Sequence, residues 1–203
     1  MDNYLVPAGE AEAEFTEKRS RFIGRIWRTD NEEEALQCIK RTRERHYDAK
    51  HNAYAYIIKD GATRCSDDGE PQGTAGMPVL EVLRRENLIN VCCVVTRYFG
   101  GVLLGTGGLT RAYARAAKMA VEAAGTREVR LYSRYSLCTP YALFERIRQE
   151  VGAHKGIVED IDFGGDVTVR YLLPIEREAE FNSHLTELSA GKLSPVFVER
   201  VRL

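Results

Sequence analysis

The sequence has no CxxC pair, and its five cysteines, Cys38, Cys65, Cys92, Cys93 and Cys138, are odd in number. That argues against a disulfide framework or a cysteine-held zinc site and predicts reduced thiols in a cytoplasmic protein. No HExxH and no close histidine pair occurs among His46, His51, His154 and His184, which again argues against zinc. Met1 to Phe15 is polar and acidic, and no run approaches the roughly 18 apolar residues of a membrane span, so neither a signal peptide nor a membrane partner is expected. A surplus of either charge is also missing. The chain carries 29 basic and 30 acidic side chains; residues 1–126 have 18 of each and residues 127–203 have 11 and 12. No global basic field marks a nucleic-acid binder, so any RNA contact must use a local patch.

What the chain does have is one dense stretch, Val91 to Gly125. Val91 to Thr96 is apolar and β-branched and predicts a buried strand. Five glycines follow within nine residues: Gly100, Gly101, Gly105, Gly107 and Gly108. Leu109 to Ala124 is Ala-rich and predicts a helix, with Gly125 as its C-cap. The unit is therefore strand, glycine-rich loop, helix. Thr106 stands where a Walker A loop needs Lys, and Thr110 stands where a dinucleotide fingerprint needs a small residue. Two readings remain for the glycines: tight helix–strand packing, or backbone amides held open for an anion at a helix start. Arg111 is expected in the first helical turn, where the dipole disfavours a cation. Arg115 and Lys118 follow on the same face, and Arg97 leaves the strand just before the loop. These cations call for a phosphate from outside or a carboxylate from inside.

The inside candidate is Ser66 to Pro78, a turn-rich stretch holding Asp67, Asp68 and Glu70. Three carboxylates this close can hold a hard cation such as Mg2+, neutralise Arg97 and Arg111, or face water. Cys65 beside them is read as packing or as a nucleophile. Upstream, Ala11 to Thr29 predicts two strands in which Lys18, Arg19, Arg21, Arg25 and Arg28 alternate with Phe15, Phe22, Ile23, Ile26 and Trp27. Such a hairpin can be a half-buried sheet edge or a surface for phosphate contacts and base stacking.

The remaining pattern sets the fold class. A helix is expected over 31–45, capped by Asp30 with Glu33 closing the capping box. Asn52 to Asp60 predicts a strand, Asp60-Gly61 a turn into a strand ending near Cys65, and Val79 to Glu86 a short helix begun by Pro78. The first part is α+β, with its helices expected on one sheet face. Beyond Gly125 the pattern reads strand (Glu128 to Cys138), helix (Tyr141 to Val151), strand (Gly156 to Phe163), strand (Asp166 to Leu173), helix (Glu176 to Ala190), strand (Ser194 to Val201). Gly164-Gly165 is expected as a two-residue hairpin turn. The order βαββαβ is the ferredoxin-like motif. Two domains are thus expected, 1–126 and 127–203.

The segments SDDGEPQGTAGMP (66–78) and VTRYFGGVLLGTGGLTRAY (95–113) closely resemble the IMPACT/YigZ family. Lys18-Arg19-Ser20-Arg21-Phe22-Ile23 resembles that family's KKSRFI-like element, with Arg19 in place of a usual Lys, and His51 to Ala55 resembles its His-containing strand. The resemblance covers about residues 10–126, and the remainder looks like the C-terminal domain of bacterial members. It implies for residues 1–126 an α/β sandwich like that of RNase PH, GHMP kinases and the second domain of a small-subunit ribosomal protein. It implies a translation-linked or RNA-linked role without a settled reaction or catalytic residues. The two domains in this order also look like the last two of elongation factor G, a likeness of fold alone.

The leading expectation is a translation-regulatory binding protein that contacts RNA or the ribosome. Its anion-binding set would be Arg97, Gly100, Gly101, Gly105, Gly107, Gly108 and Arg111, with Lys18 and Arg21 nearby. A metal-dependent enzyme on a phosphorylated or nucleotide substrate, with Asp67, Asp68 and Glu70 on Mg2+, is the alternative. A pure protein-interaction module is the third. Binding is preferred because no activated nucleophile, matched acid and base or Walker lysine is present; no cofactor is expected beyond a possible Mg2+.

Overall fold

The computed structural model describes residues 3–203. Tyr4–Glu128 form one compact unit, and Val129–Leu203 belong to a second. The first contains strands β1 (Tyr4–Pro7), β2 (Ala11–Glu17), β3 (Ser20–Arg28), β4 (His51–Ile57), β5 (Thr63–Ser66) and β6 (Val91–Tyr98), with helices α1 (Glu32–Arg45), α2 (Gly76–Arg85) and α3 (Thr106–Ala124). Five strands form one antiparallel sheet in the order β2-β3-β6-β4-β5. β1 pairs with β7 (Thr126–Val129) in a separate ribbon.

The central strand β6 explains its own composition. Cys93 and Val95 face a core built with Val79, Leu83, Tyr113, Ala116, Ala117 and Ala120 of α2 and α3. Cys92 and Val94 face Ala35, Cys38 and Ile39 of α1. The sheet is therefore covered on both faces, not on one as the pattern suggested. An unbroken apolar run is what a strand without a wet face requires. All five cysteines are free.

Helix α1 starts one residue later than the expected cap. Asn31 Oδ1 accepts from Glu34 N at 2.9 Å, and Glu34 Oε2 accepts from Asp30 N at 2.8 Å. The N-cap is thus Asn31, with Glu34 reaching back one residue further to Asp30 N, and the Asp30 side chain instead accepts from Arg28 Nε and Asn90 Nδ2. Asn31 Nδ2 also donates to Glu34 Oε1 at 2.7 Å.

The second unit runs β8 (Leu131–Thr139), α4 (Tyr141–Ala153), β9 (Ile157–Phe163), β10 (Val167–Pro174), a 3-10 turn (Ile175–Arg177), α5 (Glu178–Ser189) and β11 (Val196–Arg202). These make an antiparallel sheet in the order β11-β8-β10-β9. Leu137, Val167, Val169 and Tyr171 pack against Phe144, Ile147 and Val151 of α4 and Phe181 and Leu185 of α5. The one strand expected over 128–138 is two, β7 and β8. The β9–β10 loop has three residues, since Phe163 pairs with Val167 and Gly164 N donates to Asp166 O. Among the described residues, no helix is long and apolar enough to cross a membrane.

Helix α3 lies unusually close to the sheet. A Cβ placed on Gly24 of β3 would stand 2.3 Å from the backbone oxygen of Ala116. The alanines of α3 thus bring its backbone, not long side chains, against β3. Gly24→Ala should destabilise the protein by about 1–3 kcal/mol, the usual cost of overpacking. Urea unfolding reads this directly; a midpoint equal to that of wild type would contradict so close an approach.

Candidate functional site

The resembling segments meet around one buried ion pair. Arg97, near the end of β6, places Nη1 2.6 Å from Oε1 of Glu70 in the turn-rich loop, and both side chains are nearly inaccessible. Tyr113 of α3 donates its hydroxyl to the same oxygen at 2.9 Å. His51 Nε2 stands 3.8 Å away. Arg97 Nη2 donates to Ser20 Oγ at 3.3 Å, and Gly100 N donates to the same hydroxyl at 3.2 Å. The guanidinium lies 5.5 Å from the Phe22 ring centre and 5.4 Å from that of Phe99. Burial, and then the Glu70 carboxylate, push the Tyr113 hydroxyl far above its ordinary pKa, so it remains a donor.

The other carboxylates of the loop also turn inward. Asp67 accepts from Gly73 N, Ala75 N and Gly76 N at 2.8–2.9 Å. Burial raises its pKa, but the three amides outweigh that and leave it below the ordinary value. Asp68 accepts from Asn52 N at 2.7 Å and from Arg43 Nη2 at 2.5 Å, while its carbonyl meets His51 Nδ1 at 2.8 Å. Asp67, Asp68 and Glu70 thus serve three separate sets of donors. Of the three uses foreseen for the loop, internal pairing is the one this geometry displays. The pairing reaches Arg97 and does not extend to Arg111, whose place is on a different cleft.

That changes the expected anion set. Arg97 is compensated from inside, so it does not converge with Arg111 on an outside ligand. Arg21 points away as well: it is exposed and pairs with Glu14 through Nε at 3.0 Å and Nη2 at 2.5 Å. Helix α3 begins at Thr106, three residues earlier than expected, so Arg111 sits in the second turn rather than the first. The first turn contains Gly107 and Gly108 and no charged side chain. Its N-cap is Gly105, at φ 74°, with no side chain to accept from the free amides. Only glycine takes this backbone without strain. The start of α3 is therefore an uncapped set of donors at the positive end of the dipole.

Two clefts flank this helix start on either side of Leu104. One, of about 310 Å³, is lined by Phe15, Glu17, Lys18, Leu104, Gly108, Arg111, Ala112 and Arg115. It gathers three cations against one carboxylate. Arg115 lies 4.3 Å over the ring of Phe15. Lys118, expected on the same face, is instead bound to Glu86 at 2.7 Å. Lys18 reaches the cleft from the β2–β3 turn, where Lys18 and Arg19 have φ 45° and 66°. The backbone of Arg19 packs so closely on Gly100 that a Cβ there would stand 2.0 Å from it. The second cleft, of about 380 Å³, includes Lys50, His51, Glu70, Arg97, Phe99 and Gly105. Gly101, at φ 82°, turns the loop that follows β6, and Leu103, which lines the second cleft, is 81% exposed.

Sequence reasoning did not single out Ser20 or Tyr113. Tyr113 is the one aromatic on a buried helix face otherwise made of Leu, Ala and Val, and Ser20 stands at the end of a basic turn; both features are legible once a buried Arg needs acceptors and its Glu needs donors.

Comparison with known proteins adds the following. Residues 18–121 match the Impact N-terminal domain, and residues 139–192 match a domain of unknown function, DUF1949. The chain is 34% identical over 194 residues to IMPACT family member YvyE of Bacillus subtilis (strain 168), covering 95% of this chain and 89% of that protein. It is 34% identical over 203 residues to IMPACT family member YigZ of Escherichia coli (strain K12), covering 98% and 100%. A solved structure described as "Crystal structure of an hypothetical protein" is 34% identical, with a TM-score of 0.63 over 98% of each chain.

Arg97→Ala would leave Glu70 charged, buried and short of its main partner. Such a loss costs about 3–5 kcal/mol. Tyr113→Phe removes one hydrogen bond to a charged acceptor and should cost about 1.5–3 kcal/mol. Chemical unfolding should rank wild type, Tyr113→Phe and Arg97→Ala in falling order. An Arg97→Ala variant as stable as wild type would refute the structural role of the pair.

Proposed function

The chain belongs to the IMPACT family, and on that premise we propose that it is a translation-associated regulatory protein that binds RNA, on the ribosome or apart from it. The phosphate-gripping surface is the cleft of Lys18, Arg111 and Arg115 at the start of α3. The observation that carries the reading is the gathering of three cations in one cleft beside Gly108, in the first turn of an α3 whose N-cap offers no side-chain acceptor. Backbone N–H groups and exposed cations are the groups that position a phosphate backbone. Phe15, Phe99 and Leu103 border the two clefts and offer apolar surface for a base beside the phosphates. The second cleft, with His51 and Phe99, would take the neighbouring nucleotide.

The finer fold likenesses belong to the same reading: RNase PH, GHMP kinases and the ribosomal-protein second domain for the N-terminal unit, and a ferredoxin-like C-terminal unit. So does a cytoplasmic location. The domain limits 1–126 and 127–203 are kept as the working boundaries. Binding without turnover is supported by how the acidic loop is used: its carboxylates are already engaged with Arg97, Arg43 and backbone amides.

Co-sedimentation with ribosomes and separated subunits over a salt series tests this. Wild type should bind at low salt and be released as salt rises. Arg111→Ala/Arg115→Ala changes two exposed side chains, so it should fold normally and bind more weakly. Its log–log salt slope should fall by about 0.7–0.9 for each phosphate that the variant no longer neutralises. Equal binding by the double variant would overturn the site; no binding by wild type would overturn the translation reading.

A further inference from the structure

The two helices of the C-terminal unit carry the same spacing. Glu150 in the last turn of α4 and His154, which caps that helix, lie four apart, as do Glu180 and His184 on α5. Each pair therefore shares a helix face. Three of the four residues meet: Glu150, His154 and His184 each offer a ligand-type atom within 4.8 Å of the others. Glu150 Oε2 lies 3.5 Å from His184 Nδ1 and 3.7 Å from His154 Nδ1. The two imidazoles meet edge to face, with ring centres 5.1 Å apart. Glu180 Oε2 pairs instead with Arg177 Nη1 at 2.9 Å. Among the described residues, this is the group of three such side chains that comes within common reach.

We propose that Glu150, His154 and His184 bind one divalent transition cation of the zinc class. Two imidazoles and one carboxylate suit zinc and its first-row neighbours, whereas magnesium and calcium favour oxygen ligands. Bonds of about 2.0–2.1 Å set tetrahedral zinc ligands about 3.3 Å apart. The two distances to the Glu150 carboxylate are already close to that. The remaining closure falls on His184, whose side chain is 49% exposed and has room to turn. His154 is buried and packed edge-on against Phe181, so it is the fixed member of the set. Its Nδ1 lies 2.9 Å from the Glu150 carbonyl. That carbonyl also accepts the His154 backbone N–H at 3.0 Å and so stays satisfied if a cation displaces the ring proton. Three protein ligands leave a fourth position, open to water. The signal in the sequence was a repeated Glu-x-x-x-His on two helices; a search for close histidine pairs misses it.

The test uses the untagged full chain, stripped with chelator and titrated with Zn2+, Co2+ and Mg2+ under reducing conditions. Wild type should bind one equivalent of Zn2+, give the visible absorption of a low-symmetry Co2+ site, and ignore Mg2+. His184→Ala and Glu150→Gln alter partly exposed side chains and should keep the wild-type circular dichroism. Each should weaken Zn2+ binding at least as much as losing an outer-shell partner, about 10–100-fold. Binding should also weaken in acid, because protons compete with the cation for ligand atoms. No saturable Zn2+ binding by wild type, or unaltered binding in both variants, would overturn the proposal and leave the cluster a histidine–carboxylate ion pair.

Discussion

Burying Arg97 with Glu70 is the constraint to which the N-terminal unit conforms. Removing two charges from water is costly, and close pairing repays the cost only when the remaining donors and acceptors are also met. Each supporting group comes from a different element. Ser20 opens β3, His51 opens β4, Arg97 closes β6, Tyr113 projects from α3, and Glu70 sits in the loop before α2. The pair therefore fixes the register of the central strands against the helix layer. The loop that carries Glu70 is held in turn by Asp67 on its own amides and by Asp68 on Asn52 and Arg43. One nitrogen, Arg97 Nε, is buried without a hydrogen-bond partner. The rings of Phe22 and Phe99 flank that guanidinium and supply part of what a hydrogen bond would.

This constraint divides the basic residues into two kinds. Arg97 is committed to the interior. Lys18, Arg111 and Arg115 are exposed in the cleft beside the start of α3, where Glu17 is the one carboxylate among the described lining residues. The glycine loop joins the two kinds. Ser20 holds Gly100 and Arg97 together, so the inner pair sets the position of the outer rim. A phosphate arriving there would meet fixed donors, which reduces the ordering cost of binding. The second unit is built differently, with one helix layer on an antiparallel sheet and its own histidine–carboxylate cluster.

Much of the fold was legible before any coordinates. The alternation in β8 and β10, the apolar stripes of α4 and α5 and the βαββαβ order follow from periods of two and 3.6 alone. The strand–glycine loop–helix unit was equally plain. The short β1 and β7 were not, because four residues carry too little pattern. The placement of α1 on the opposite sheet face was missed because Cys92, Val94 and their neighbours read only as apolar, without a direction. Membership of the family was legible in the two long segments. The candidate site was legible in residue types but not in partnership. Lys18, Gly108 and Arg111 do share a cleft, whereas Arg21 faces Glu14 and Arg97 faces Glu70. Strand alternation separates Arg21 from Phe22, and only tertiary structure decides which carboxylate reaches which arginine.

The central claim is that the interior pair is structural and the rim of α3 is the surface that meets phosphate. Amide and side-chain NMR shifts during titration of the full chain with a short single-stranded oligoribonucleotide read both halves at once. Saturable shifts should concentrate at Lys18, Gly107, Gly108, Arg111 and Arg115, with the Arg97 guanidinium signal unmoved. Shifts confined to the C-terminal unit, or none at low salt, would contradict the account.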